Sequence, residues 1–168
     1  MKKFLIILVF GSQFIIAENE RLNHVPNIKL KMINGEKIQL YDFFNEGPLL
    51  VDFWATWCAP CKKEMIHLDK FHRTYTDRGF NVLTINQDTP RSLSKVKSYV
   101  RSKKFTFHVA IDPNQQISKK LNAVLLPTTI LVNREGKVLW RHQGYILGDE
   151  VEMEEQILHA LKSGSLSV

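Results

Sequence analysis

The sequence predicts an α/β fold, a mixed central sheet flanked by helices and opened by an N-terminal β-hairpin. Three observations predict it. Short runs rich in β-branched and aromatic residues alternate with segments of helical spacing through the middle of the chain, the pattern of parallel strands joined by right-handed crossovers. A hairpin pattern opens the chain, and a second, closing hairpin follows the alternation and argues for antiparallel strands at one side of the sheet. No internal repeat, low-complexity run or Pro/Gly/Ser-rich linker divides the chain.

Each element has its own signal. Residues 28–32 alternate in polarity, Asn34-Gly35 is a tight hairpin turn, and residues 37–40 return. Gly47-Pro48 breaks the chain, and the almost continuously apolar LLVDFW (49–54) then suits a central strand covered on both faces, with Asp52 its single charge. From Pro60 to about Arg78, Met65, Leu68, Phe71 and Tyr75 recur at helical spacing, and Gly79 is the expected stop. NVLTIN (81–86) reads as a second strand. Thr89 and Pro90 read as the cap and first residue of a basic helix reaching Ser102. Residues 105–111 form a third expected strand, and a short helix follows at 116–121. Residues 128–132 and 137–142 make the closing hairpin. Asp149 is the expected cap of a last helix through Leu161, with Glu152 completing a capping box.

With 168 residues, 44% of them hydrophobic, the chain is long enough for one domain with a substantial core. A charged fraction of 24% without an acidic or basic tail argues against a largely disordered protein. Residues 1–17 read as a secretory leader: Lys2 and Lys3 precede an apolar stretch that ends at Ala17, before the polar Glu18-Asn19-Glu20. Ile15 is not the ideal small residue for cleavage, and an uncleaved N-terminal anchor is the second reading. The apolar stretch falls short of the roughly 20 residues of a spanning helix. No cysteine near the cut supports lipid attachment. The expected organisation is a leader over 1–17 and one domain over 18–168. Both readings place that domain outside the cytoplasm, with membrane contact only through a retained leader.

The formal net charge of +6 falls to +4 without the leader lysines, a weak bias toward anionic partners. Lys95, Lys97, Arg101, Lys103 and Lys104 share the basic helix with the apolar Leu93, Val96 and Val100. They read as a solvated face and not as a nucleic-acid site.

The chemistry centres on the only two cysteines, Cys58 and Cys61. Disulfides suit an exported protein, but a loop this small cannot staple a fold, since disulfide stabilisation grows with loop length. The segment WATWCAPCKKE (54–64) follows a buried strand and opens a helix. Cys58 then sits at the positive end of that helix, which favours its thiolate over the thiol's ordinary pKa of about 8.5 and makes it the attacking nucleophile. Cys61, one turn on, is the expected buried resolving thiol, and Pro60 is tolerated in the first turn, where it fixes the geometry of the pair. A buried resolving thiol needs a base. Asp52, inside the apolar strand, is hard to explain as a surface residue. Glu64, three residues after Cys61, is either a second base or an exposed first-turn acid. Trp54 and Phe43-Phe44 read as core, whereas Trp57 reads as part of a docking surface.

These residues resemble the thioredoxin-like proteins of the TlpA/ResA/CcmG type. The resemblance rests on IKLKMINGEKIQL, VDFWATWCAPCKKEM, AIDPNQQISKKLNAVLLPTTILVNREGKV and GYILGDE, and it covers most of the chain after the leader. It implies a thioredoxin-like fold in which residues 87–122 supply an inserted β–α unit. It implies that Pro127 is cis, faces the dithiol and, with Leu126, shapes the groove for substrate backbone. Trp57, Ala59 and Pro60 are the expected substrate-binding residues on the other side of that groove. Asp52 matches the buried Asp of thioredoxin, where many exported relatives have Asn, and Glu64 matches the acid of ResA-like members. Having both leaves open which one serves Cys61. Ile66 stands where the family commonly has a helix-kinking Pro.

The resemblance further implies a thiol–disulfide oxidoreductase acting on protein cysteines, with neither cofactor nor metal. As a monomeric reductase it would be recharged by a membrane thiol-transfer protein, and cytochrome c maturation is one such task. Three rival readings are weaker. A zinc or copper module needs two more ligands, and His24, His67, His72, His108, His142 and His159 show no ligand spacing relative to the cysteines. A peroxiredoxin-like peroxide reductase wants an isolated thiolate with Thr and Arg around it. Thr56 is present, but Cys61 is too close to Cys58 for that architecture. A non-enzymatic holdase has no need of an intact dithiol.

Overall fold

The structure, a computed structural model, describes residues 23–164. The leader assigned to residues 1–17 lies outside the described residues. β1 (Lys29–Met32) and β2 (Lys37–Gln39) form the hairpin turned by Asn34-Gly35, with Gly35 at a positive φ of 97° that suits its lack of a side chain. A 3-10 turn over Leu40–Asn45 buries Phe43 and Phe44 and leads into β3 (Leu49–Trp54), buried at every residue. Helix α1 (Ala59–Tyr75) follows and ends in a 3-10 turn, Thr76–Arg78, closed by Gly79 at φ 83°. A Cβ on Gly79 would run into the carbonyl of Glu46, so that stop needs glycine for space as well as for conformation.

β4 (Asn81–Asn86), α2 (Leu93–Lys103), β5 (His108–Ile111) and α3 (Gln116–Lys120) make up the alternating middle. β6 (Thr128–Val132), β7 (Val138–Gln143) and α4 (Asp149–Gly164) complete the chain. The seven strands lie in the order β2-β1-β5-β4-β3-β6-β7. β5, β4 and β3 are mutually parallel, while β1 and β2 at one edge and β6 and β7 at the other pair antiparallel. Antiparallel strands therefore stand at both sides of the sheet, not at one. Its two faces carry separate cores. α1, α2 and α4 cover one face through Met65, Leu68, Phe71, Val96, Met153 and Ile157. The 3-10 turn and α3 cover the other through Phe43, Phe44, Ile117 and Leu121.

Several boundaries differ from the expectation for identifiable reasons. The third strand begins at His108, not at 105, because Asp69 Oδ1 accepts from both the N–H and the hydroxyl of Thr106, at 2.6 and 2.9 Å. Those bonds draw the segment out of the ladder, and Phe105 and Phe107 stack on each other instead. The basic helix opens as a 3-10 turn, Pro90–Ser92, and Thr89 makes no side-chain cap bond. The capping box expected at Asp149 and Glu152 is absent. Asp149 Oδ2 accepts from the backbone N–H of Ile146, and Glu152 Oε1 accepts from Trp140 Nε1. α1 runs unbroken through Ile66.

Candidate active site

The dithiol sits where β3 hands over to α1. Cys58 is the residue capping α1, in extended backbone conformation, and its Sγ accepts the Cys61 N–H at 3.2 Å. A sulfur so placed receives one of the free N–H groups of the first turn and the positive end of the helix dipole. Cys58 and Cys61 are joined as a disulfide, with Cα atoms 5.4 Å apart. Cys58 is 5% exposed and Cys61 wholly buried, so an incoming group can reach only Cys58. Trp57 beside it is 69% exposed, Ala59 is exposed and Pro60 half-buried.

Two further segments shape this end of the sheet. The Leu126–Pro127 peptide is cis, and Pro127 directly precedes Thr128, the partner of Phe53 in the β3–β6 register. Pro127 thus stands at the end of β3 that leads to Cys58, and its carbonyl accepts the Gly144 N–H. Leu126 is half-buried against both cores, and Leu125 before it is exposed. On the other flank, the buried carboxylate of Asp88 ties down the turn ahead of Cys58. Its Oδ2 accepts from the Thr56 N–H at 2.7 Å and from Asn86 Nδ2 at 2.8 Å, and its Oδ1 from the Thr56 hydroxyl at 2.8 Å. The sequence reading missed Asp88. Its one sequence signal is an acid just past the C-terminal end of a strand, in the crevice where α/β sheets place their sites.

Both candidate bases are fully buried on the face beneath α1. Glu64, read in sequence as either base or exposed helix residue, is enclosed by the protein. The Thr129 hydroxyl donates to its Oε1 at 2.7 Å, while its Oε2 and both oxygens of Asp52 have no hydrogen-bond partner. Burial pushes Glu64 up to about 7, with Asp149 adding to the push and the Thr129 bond opposing it. Burial likewise holds Asp52 well above the usual carboxylate range, and the neighbouring Glu64 charge raises it further. Two acids that disfavour each other's ionisation near neutral pH can take up and release one proton between them. Thr129, the residue that orients Glu64, also went unread in the sequence. Among the described residues no group of three or more His, Cys, Asp or Glu is placed to hold a metal ion.

Residues 22–141 match the model of the AhpC/TSA family. The chain belongs to that family. Within it, the chain is similar to the thiol-disulfide oxidoreductase ResA of Bacillus thuringiensis subsp. konkukian (strain 97-27), at 33% identity over 127 residues, 76% of this chain and 72% of the relative. It is 33% identical to ResA of Bacillus subtilis (strain 168) over 131 residues, 78% of this chain and 70% of the relative. Among solved structures, a Chlorobium tepidum protein assigned as a thiol:disulfide interchange protein DsbE superposes with a TM-score of 0.76 at 30% identity, over 83% of this chain and 96% of that one. A thioredoxin-like sheet carrying a closed Cys-x-x-Cys pair, in a chain of this kinship, is a thiol–disulfide oxidoreductase.

The raised Glu64 has a consequence for stability. A carboxyl whose folded-state pKa lies above its unfolded value of 4.5 costs nothing below pH 4.5, and its penalty grows as pH rises toward 7. Glu64→Gln is therefore expected to leave stability unchanged at pH 4 and raise it by roughly 2–3 kcal/mol at pH 8, read from urea unfolding. Equal effects at both pH values would contradict the burial of an ionisable Glu64.

Proposed function

We propose that this protein reduces disulfides in other proteins outside the cytoplasm, with Cys58 attacking and Cys61 resolving. The single observation that carries the reading is the contrast within the pair: Cys58 caps α1 and keeps a small exposure, whereas Cys61 is wholly enclosed in a core whose covering helix and sheet face also carry the proton-holding acids Glu64 and Asp52. In the reduced enzyme the Cys58 thiolate attacks a substrate disulfide, forming a mixed disulfide and releasing one substrate thiolate. Cys61 gives its proton to the Asp52–Glu64 pair, and its thiolate attacks Cys58 Sγ. The Cys58–Cys61 disulfide forms, and the second substrate thiolate leaves and takes up a proton. Two electrons pass from the dithiol to the substrate. Glu64, three residues from Cys61 on α1, takes the proton first, and Asp52 serves as the second acceptor.

Trp57, Ala59 and Pro60 on one side and Leu126 and Pro127 on the other receive the substrate chain. Export is supported by the leader pattern over residues 1–17, and the TlpA/ResA/CcmG resemblance supports a monomer recharged by a membrane thiol-transfer protein, with cytochrome c maturation as one task. The metal-module and peroxiredoxin-like readings have no comparable observation in their favour.

Cys61→Ser, mixed with a disulfide-bonded peptide, is expected to accumulate a covalent adduct through Cys58 in intact mass spectra, and Cys58→Ser to form none. An adduct on Cys58→Ser at the rate of Cys61→Ser would refute the assignment. The mass of the exported protein tests the leader: a chain beginning at Glu18 is the expected product, and a soluble chain that keeps residues 1–17 would contradict both leader readings.

A further inference from the structure

Strands β3, β6 and β7 place Asp52, Thr129 and His142 in one cross-strand row, Asp52 opposite Thr129 and Thr129 opposite His142. Such partners point to the same face of a sheet with neighbouring Cβ atoms roughly 5 Å apart. The next row on that face, Leu50, Leu131 and Trp140, is apolar and packs into the core under α1 and α4. A polar row in that place is a departure from the packing around it.

Two stations of the row meet an acid from a covering helix. The Thr129 hydroxyl donates to Glu64 of α1 at 2.7 Å. His142 Nε2 lies 3.1 Å from Asp149 Oδ2 at the start of α4, and Trp140 stacks on the imidazole with centroids 5.5 Å apart. Accessibility grows along the row. Asp52, Thr129 and Glu64 are fully enclosed, whereas the side chains of His142 and Asp149 are 28% and 22% exposed. Three other titratable groups stand near this cluster. Tyr145, on the loop after β7, interacts with Glu64 and donates its hydroxyl to Glu150 of α4, and its ring lies 6.1 Å from His67 of α1.

We propose that His142 and Asp149 are the solvent-side end of a proton outlet for Glu64, and that this pair sets the pH at which Cys61 resolves the mixed disulfide. The inference rests on the reading that Glu64 serves Cys61. A proton passed from Cys61 to an enclosed acid must reach water before the next turnover, and a hydroxyl that donates and accepts at once can bridge the acid to the edge strand. The charge of Asp149 raises the proton affinity of Glu64, and the His142 imidazole, hydrogen-bonded to that carboxylate, tempers the effect. His142 and Asp149 act through Glu64 and are positioning residues.

The test is the pH profile of substrate-thiol release from the preformed mixed disulfide, for the wild-type domain, Glu64→Gln, His142→Gln and Asp149→Asn. Glu64→Gln is expected to remove the inflection. His142→Gln is expected to move the midpoint up and Asp149→Asn to move it down, each by about 0.5 pH unit or more. Free imidazole is expected to restore the His142→Gln rate. An unchanged profile in Glu64→Gln would overturn the underlying reading. A lost inflection in Glu64→Gln with wild-type midpoints in the other two would overturn the outlet alone, as would slower release at an unmoved midpoint. If Asp149→Asn does not fold, the His142→Gln midpoint and its imidazole rescue decide.

Discussion

Cys58 closes the N-terminus of α1, and the placement of that helix end against the tip of β3 is the constraint on which the rest of the site depends. The sulfur takes the first-turn N–H of Cys61 and faces the positive end of the helix dipole. For this to hold, the turn over residues 55–57 must be rigid, and Asp88 makes it so by accepting both donors of Thr56. The helix must also be held down along its length, which Met65, Leu68 and Phe71 achieve by packing on the sheet. β3 in turn is buried on both faces because parallel β4 and antiparallel β6 flank it and helices cover each side.

That arrangement leaves two acids under the helix where hydrophobic side chains would be more stable. An unpaired buried carboxylate is costly, and Asp52 and Glu64 meet the cost by keeping protons into the neutral range. The apolar row of Leu50, Leu131 and Trp140 one step along the same face shows what the sheet does where no chemistry is served. The same acids bear on redox balance. Cys58 gains a helix N-terminus, whereas Cys61 is enclosed in the core on the sheet face that also carries Asp52. Strong oxidants of this chemistry owe their potential to a stabilised reduced form.

Local features were legible in the sequence. The LLVDFW strand, the helix opened by Cys58-Ala59-Pro60-Cys61, the Asn34-Gly35 turn and the Gly79 stop each rest on spacing within a few residues. Asp52 stood out for the same reason, as one charge in an apolar run. Contacts that join distant segments were not legible. Thr129 meets Glu64 from 65 residues away and Asp88 meets Thr56 from 32; nothing local distinguishes Thr129 from an ordinary strand residue, and the position of Asp88 just past a strand end does not reveal its partner. Asp69 shortened the third strand through Thr106 across 37 residues. Asp149 reads as a helix cap in sequence because its partner His142 becomes visible only when β7 is laid beside α4.

The reduction potential of the Cys58–Cys61 pair tests the central claim most directly. It is measured by equilibrating the purified domain in dithiothreitol or glutathione buffers and trapping free thiols. The proposed reductase role predicts a value near that of thioredoxin, about −270 mV. A value near −120 mV, roughly that of a strong disulfide donor, or the absence of any reversible dithiol, would contradict it.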